Sequence, residues 1–138
     1  MSRLLAIDYG LRRTGLAVSD PLKIIATGLA VVDSDKLFSF LQDYTRKEQV
    51  QQFVVGMPRR HGNKPSEMQE SVRVLIEKLK ATFSEISVAE IDESFSTIRA
   101  KEAMLTGGMK RSDREKKGSA DLVTATMLLQ EYMTLRKL

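Results

Sequence analysis

The sequence predicts an α/β fold built on a mixed β-sheet with flanking helices. Three short apolar strands with tight connections open the chain, and two later apolar strands alternate with segments of helical periodicity. Strands joined by short turns run antiparallel, whereas strands joined through a helix run parallel. The element order βββαβαβα, followed by a terminal helix, therefore predicts a sheet that combines both kinds of pairing.

A glycine-bounded hairpin is predicted near the amino end. Residues 4–7 form an unbroken apolar run, which is typical of a strand buried on both faces, and the run ends at Asp8. Gly10 and Gly15 bracket the turn, after which residues 16–18 re-enter the sheet as the second strand. Asp8 is therefore expected at a strand end beside the turn, which is an unusual place for a charge.

The third strand and the first helix follow directly. The strand is expected at residues 26–32, close enough to the second strand to continue an antiparallel meander. Asp33 or Ser34 is expected to cap a helix whose apolar residues recur with helical spacing between 37 and 44. One face of this helix should pack on the sheet.

Two further strands enclose a second helix. Residues 52–57 predict a buried strand, and the S-x-x-Q capping box that starts at Ser66 predicts the helix after it. The fifth strand is expected at 86–91 and ends in Asp92 and Glu93. Carboxylates are again placed where a strand leaves the sheet.

The last part of the chain predicts two helices separated by a basic segment. A third helix should run through residues 104–105, and residues 109–117 have no apolar periodicity, which is typical of a mobile loop. The final helix, at about 119–135, is apolar nearly all round and should pack close to the sheet. Asp121 interrupts it, on the face shared with Ala125, Leu128 and Tyr132.

Length and composition limit the classes of protein. The chain has 138 residues, which suit a single domain spanning 1–138, and no cysteine, which excludes disulfides, thiolate metal sites and cysteine nucleophiles. The apolar run before Asp8 is too short for a signal peptide, and no run approaches a transmembrane helix. We therefore expect a cytoplasmic protein without membrane contacts, as a monomer or a weak homodimer.

Basic residues are concentrated in three segments, at 10–15, 58–65 and 110–117. Ten of the chain's 22 lysine and arginine residues lie there, against only two acidic residues. Segregated positive charge favours contacts with the phosphate backbone of a nucleic acid, although solvated loops also collect charge. The candidate substrate-binding residues are Arg12, Arg13, Arg59, Arg60, Lys64, Lys110, Arg111, Arg114, Lys116 and Lys117.

Three carboxylates are candidates for a metal site. Asp8, Glu93 and Asp121 each lie at a strand end or a helix start, where sites form in α/β sheets. Clustered carboxylates repel one another, so a divalent cation is the usual way to neutralise them, and hard oxygen ligands favour Mg²⁺ or Mn²⁺. Each acid also has an ordinary structural explanation, as a turn residue, a helix cap or a helix-dipole partner.

Four motifs resemble the YqgF/RuvX family of ribonuclease H-like proteins, which are described as Holliday-junction-resolvase-like and as pre-16S rRNA nucleases. They are DYGLRRTGLAVSD at 8–20, FVVGMP at 53–58, DESFST at 92–97 and KGSADLVTATMLLQEYM at 117–133. Together they cover nearly the whole chain in the family's order and spacing. The resemblance implies a ribonuclease H-like fold, with a five-stranded mixed sheet whose second strand is antiparallel to its neighbours, flanked by helices.

The resemblance also implies which acids are catalytic. The family's catalytic and metal-binding carboxylates fall on Asp8, Glu93 and Asp121, and in the third motif the second acid is the catalytic one, which favours Glu93 over Asp92. The family usually has a basic residue directly after that glutamate, whereas this chain has Ser94.

Several functions follow as hypotheses. The leading one is a Mg²⁺- or Mn²⁺-dependent endonuclease of the two-metal-ion type that acts on structured RNA, at the 5′ end of pre-16S rRNA during ribosome biogenesis. The alternatives are a Holliday-junction resolvase acting on branched DNA and a non-catalytic nucleic-acid-binding module. An actin-like ATPase, which also uses Asp-x-Gly turns, is disfavoured because such proteins close two domains on the nucleotide.

Overall fold

The computed structural model describes residues 2–58, 67–93 and 119–136. Its five strands form one mixed sheet in the order β3-β2-β1-β4-β5. β2 runs antiparallel to both β1 and β3, whereas β4 is parallel to β1 and to β5. The predicted fold class is therefore confirmed. The strands are β1 (Arg3–Tyr9), β2 (Arg13–Ser19), β3 (Ala26–Asp33), β4 (Val50–Met57) and β5 (Ser87–Asp92).

Helices cover both faces of the sheet. In the described ranges they are α1 (Leu37–Lys47), α2 (Glu67–Thr82) and α3 (Ser119–Arg136), and a short 3₁₀ turn, Ser34–Lys36, precedes α1. The helix predicted to reach residues 104–105 and the basic segment at 109–117 lie outside the described residues. No helix in the part of the chain that the structure describes is long and apolar enough to cross a membrane.

Alternating strand residues divide the core into two layers. Leu5 and Ile7 of β1 face α1 and α2, and they pack with Leu37, Leu41 and the buried residues of α2. Leu4 and Ala6 face the other way, toward a layer in which α3 contributes most of the apolar side chains. The same alternation places Asp8 on the α3 side of the sheet, so the position of α3 decides what surrounds this carboxylate.

Asp33 and Ser34 do not cap α1 in the way the sequence predicts. Asp33 precedes the 3₁₀ turn and its side chain makes no capping hydrogen bond. The Ser34 hydroxyl instead donates to the carbonyl of Gly10, and it can accept a hydrogen bond from the Thr14 hydroxyl 2.8 Å away. The Ser34 side chain thus joins the end of β3 to the β1–β2 hairpin.

Asp20 organises the β2–β3 connection at the opposite end of the sheet. Its carboxylate accepts hydrogen bonds from the backbone N–H groups of Leu22, Ile24 and Ile25, at 3.2, 2.7 and 2.8 Å. Lys23 adopts a positive φ of 60°, which the tight loop requires. The loop is thereby held by a single side chain, and its three apolar residues remain exposed.

Candidate active site

Two glycines flank Asp8 on the sheet. Asp8 pairs directly with Gly15 of β2. On the other side Ile7 pairs with Val55 of β4, so Gly56 is the neighbour of Asp8 along the parallel ladder. All three residues face α3, and the glycines add no side chain. The sheet therefore leaves open space on both sides of the carboxylate.

The space above Gly15 admits the first turn of α3. A Cβ atom on Gly15 would collide with the backbone oxygen of Asp121. The helix backbone therefore rests directly on β2, with no side chain between them. This contact places Asp121 next to Asp8, although the two residues are far apart in the sequence.

The space above Gly56 admits the side chain of Glu93. A Cβ atom on Gly56 would lie 3.0 Å from Glu93 Cγ and 2.8 Å from a methyl group of Leu128. The Glu93 backbone N–H donates to the carbonyl of Met57 at 3.1 Å, which continues the β4–β5 pairing one residue beyond β5. The Glu93 side chain is thereby turned across β4 toward β1.

Asp8 and Glu93 meet in this space and form a side-chain hydrogen bond. The pKa of Asp8 is raised from its ordinary 3.8 to about 9. Burial is the largest cause, and the hydrogen bond to Glu93, the charge of Glu93 and the charge of Asp121 are the smaller ones. Asp8 is consequently protonated at neutral pH, and its carboxyl O–H can donate to Glu93. The acids thus create more negative charge than their surroundings neutralise.

Asp121 has a different partner. Its Oδ2 lies 3.3 Å from Nε of Arg13, and about a third of each side chain is exposed, 32% and 35% respectively. Within the described ranges no group of three acidic or histidine side chains is arranged to hold one metal ion. The structure therefore brings the three predicted acids to one place, with two of them hydrogen-bonded and the third ion-paired.

The carboxylates nevertheless fit a hard divalent cation in their chemistry. All three supply oxygen donors, which Mg²⁺ and Mn²⁺ prefer. Burial and the neighbouring carboxylates raise the pKa of Asp8, and a bound cation would oppose both effects by favouring the charged form. A shift of the Asp121 carboxylate from Arg13 toward Asp8 would be needed for all three to share an ion.

The hairpin beside the acids is held firmly and borders a cavity. The backbone N–H of Ser34 donates to the carbonyl of Arg12 at 2.9 Å, in addition to the hydroxyl contacts with Gly10 and Thr14. The cavity has a volume of about 430 Å³. It is lined by Leu11, Arg12, Arg13, Asp33 and Asp35. Arg13, which pairs with Asp121, and its chain neighbour Arg12 therefore both line this cavity.

The other predicted substrate-binding residues lie outside the described residues, and their roles stay predictions. They are Arg59, Arg60, Lys64, Lys110, Arg111, Arg114, Lys116 and Lys117.

Sequence reasoning missed three contributors. Gly15 and Gly56 create the space for the acids. Gly56 lay inside a predicted strand, which was the available signal, whereas Gly15 was predicted to bound the hairpin turn and lies inside β2 instead. Gln69 is buried in α2, and its side-chain amide donates to the carbonyl of Pro58 at 2.8 Å, which ties the exit of β4 to the start of α2. A polar residue on the apolar face of a predicted helix was the available signal.

A family model described as "RuvX: Holliday junction resolvase" matches residues 2–135. The chain belongs to the RuvX family. It is 42% identical over 137 residues to a protein of Phocaeicola vulgatus and 39% identical over 137 residues to one of Bacteroides thetaiotaomicron. Each alignment covers 99% of both proteins, and both relatives bear the name "Putative pre-16S rRNA nuclease".

Solved structures agree on the fold of this RuvX-family chain. T. thermophilus RuvC in complex with a Holliday junction substrate superposes with a TM-score of 0.61, over 99% of this chain and 97% of RuvC, at 14% identity. The Fowlpox virus resolvase bound to Holliday junction DNA superposes with a TM-score of 0.56, over 98% and 99% of the two chains, at 16% identity. The chain has a RuvC-like ribonuclease H fold.

Proposed function

We propose that this RuvX-family protein is a metal-dependent endonuclease that hydrolyses phosphodiester bonds in structured RNA, and that it processes the 5′ end of pre-16S rRNA. The convergence of Asp8, Glu93 and Asp121 in the space left by two glycines is the observation that carries the proposal. The names of the curated relatives support the choice of substrate.

All three acids would hold the metal in this proposal, and Glu93 would also orient Asp8. Asp8, Glu93 and Asp121 would hold Mg²⁺ or Mn²⁺, which supplies an activated water and stabilises the leaving oxygen of the phosphodiester. Asp8 must lose its proton to act as a ligand, so metal binding should release protons and weaken at low pH. Glu93 keeps Asp8 oriented through their hydrogen bond until then.

The basic residues would hold the nucleic acid beside the acids. Arg12 lines the neighbouring cavity, and Leu11 at the hairpin tip is 72% exposed, so this side chain is available to contact a base. The lysines and arginines of the segments at 58–65 and 110–117 would contact phosphates farther along the strand. Binding should therefore weaken steeply as the salt concentration rises.

Conservative substitutions of the acids test the proposal. Asp8→Asn, Glu93→Gln and Asp121→Asn should each remain folded and lose about 100-fold or more of the cleavage rate of a pre-16S rRNA 5′ end, because each removes a carboxylate that would hold the catalytic cation. The measurement is a gel-based cleavage assay with Mg²⁺ or Mn²⁺ as the added cation.

Asp92→Asn is the matched control. Asp92 is the exposed neighbour of Glu93 and lies on the other side of β5, so this variant should cleave within about twofold of the wild-type rate. Full activity in any two of the three acid variants would contradict the proposed site.

A Holliday-junction resolvase is the second candidate, because the description of the matching family model favours it. It uses the same acids and differs in the substrate. Cleavage of a four-way DNA junction and of the rRNA precursor, compared side by side under the same conditions, separates the two. Salt-sensitive binding of either substrate without cleavage, and without a requirement for metal, would instead indicate a binding module.

A further inference from the structure

Arg13 and Asp121 are held face to face by their backbones. Arg13 and Gly15 are two residues apart on β2, so both point toward α3. The backbone of Asp121 packs on Gly15, and the side chain of Arg13, two residues before Gly15, contacts the Asp121 carboxylate. Thr14, between them, is fully buried on the opposite face and hydrogen-bonds to Ser34, which fixes the strand at this point.

The ion pair competes with a cation for Oδ2 of the Asp121 carboxylate. Oδ2 of Asp121 accepts a hydrogen bond from Arg13 Nε, whereas Asp8 and Glu93 bond to each other. The guanidinium thus neutralises one of the three converging acids, while the other two are hydrogen-bonded to each other. A cation that binds all three acids through Oδ2 of Asp121 would displace this guanidinium.

We propose that Arg13 is a positioning residue that holds Asp121 as a counter-ion until a divalent cation binds, and then releases it. The released guanidinium becomes available to a phosphate oxygen of the substrate strand, which its planar fork of N–H donors suits. This inference rests on the proposed function, because it takes the three acids to be metal ligands.

The exposure of the pair makes such an exchange feasible. Both side chains are about one-third exposed, and ion pairs in contact with water alter an equilibrium by about fivefold or less. The pair is therefore strong enough to orient Asp121, and it is weak enough to be broken by a divalent cation that the carboxylates of Asp8 and Glu93 also bind. A fully buried pair would resist this exchange.

Metal binding without nucleic acid is the first test. The dissociation constant of Mn²⁺ is measured from the free-Mn²⁺ electron paramagnetic resonance signal for the wild type, Arg13→Gln and Arg12→Gln. Arg12 lines the same cavity and makes no ion pair within the described residues. Arg12→Gln therefore removes an equal charge without breaking such a pair. Arg13→Gln should bind Mn²⁺ about threefold more tightly than the wild type, and Arg12→Gln should change affinity by less than half as much.

A double variant isolates the contact. In an Asp121→Asn background, Arg13→Gln should no longer tighten Mn²⁺ binding beyond the change given by Arg12→Gln, because the ion pair is already absent. Equal effects of the two arginine variants, or unchanged or weaker Mn²⁺ binding by Arg13→Gln, would overturn the inference.

Nuclear magnetic resonance of the unmutated protein gives a second readout. On addition of Mg²⁺ the Arg13 Nε–H resonance should move as its hydrogen bond to Asp121 is lost, while the Arg12 resonance stays in place. An unmoved Arg13 resonance at a Mg²⁺ concentration that saturates the site would also overturn the inference.

The results separate the two proposals. Cleavage of RNA combined with equal Mn²⁺ affinities of wild type and Arg13→Gln would refute the exchange and leave the nuclease standing. The expected Mn²⁺ affinities without cleavage of either nucleic acid would refute the nuclease and support the exchange. No Mn²⁺ binding by any variant would refute both.

Discussion

The two ends of the sheet carry aspartates that the fold treats in opposite ways: Asp8 lies on β1 beside the hairpin, and Asp20 directly follows β2 at the other end. Asp8, paired with Gly15 near the hairpin end, is buried beside Glu93 and Asp121, and burial followed by the effects of these carboxylates raises its pKa to about 9. Asp20, at the other end, accepts hydrogen bonds from the backbone of its own loop. Those bonds, with the one from Ile25 foremost, lower the pKa of Asp20 below its ordinary value.

The difference shows which aspartate stabilises the fold. The partners of Asp20 are backbone N–H groups within five residues, so its charge is favourable wherever the loop forms. The partners of Asp8 are other carboxylates brought from distant parts of the chain, so its charge opposes folding. Strongly perturbed groups of the second kind concentrate at functional sites. The hairpin end of the sheet therefore holds a perturbed carboxyl group at a cost in stability, as the proposed active site requires.

The largest expected effect on stability comes from a substitution that fills the space beside Asp8. Gly15→Ala would push a Cβ atom into the backbone of Asp121, and neither the strand nor the helix can move freely, so we expect a loss of about 3 kcal/mol in the free energy of unfolding. Urea denaturation followed by circular dichroism measures it.

Gly28→Ala is the control for this substitution. A Cβ atom on Gly28 would meet the side chain of Leu122 at 2.9 Å, and a side chain can rotate away, so the loss should be about 1 kcal/mol or less. Equal losses in the two variants would show that the approach of α3 to β2 is not tight at Gly15.

The next largest effect is the pH dependence of the free energy of unfolding that the raised pKa of Asp8 causes. Between its unfolded pKa, near 3.8, and its folded pKa, about 9, only the folded state holds the proton, so the wild type loses stability as pH rises through this window. Asn does not titrate. In EDTA, the stability of Asp8→Asn relative to the wild type should therefore increase by about 2 kcal/mol from pH 6.0 to 7.5. A pH-independent difference would contradict the raised pKa.

The smallest effect is expected at the opposite end of the sheet. Asp20→Ala removes three backbone hydrogen bonds at the surface, so the melting temperature at pH 7 should fall by less than in Gly15→Ala. Because the folded pKa of Asp20 is lowered, its contribution is present above the ordinary carboxyl pKa and is lost as pH falls through the folded value.

Thermal melts of Asp20→Ala and the wild type at pH 7 and pH 4 measure this difference, which should shrink at the lower pH. Cleavage by Asp20→Ala should equal that of the wild type. Lost cleavage in a folded Asp20 variant would mean that the two ends of the sheet are not independent.

Local pattern was sufficient for most of the fold. The apolar run before Asp8, the stripe that includes Leu37 and Leu41, and the apolar terminal helix all reflect the periodicity of a strand or helix, and each lies where it was expected. The prediction that Asp33 or Ser34 caps α1 was wrong, because the Ser34 hydroxyl bonds to the hairpin instead. No local sequence pattern indicates a partner more than twenty residues away.

The sequence by itself determined the α/β order of elements, the segregation of basic residues and, through the motifs at 8–20, 92–97 and 117–133, which acids to consider. Only the tertiary structure decided that Gly15 and Gly56 make room for these acids, that Asp8 shares a hydrogen bond with Glu93, and that Arg13 pairs with Asp121. Periodicity follows from the backbone geometry of neighbouring residues, whereas a pKa or an ion pair depends on which distant groups the sheet and α3 bring within a few ångströms.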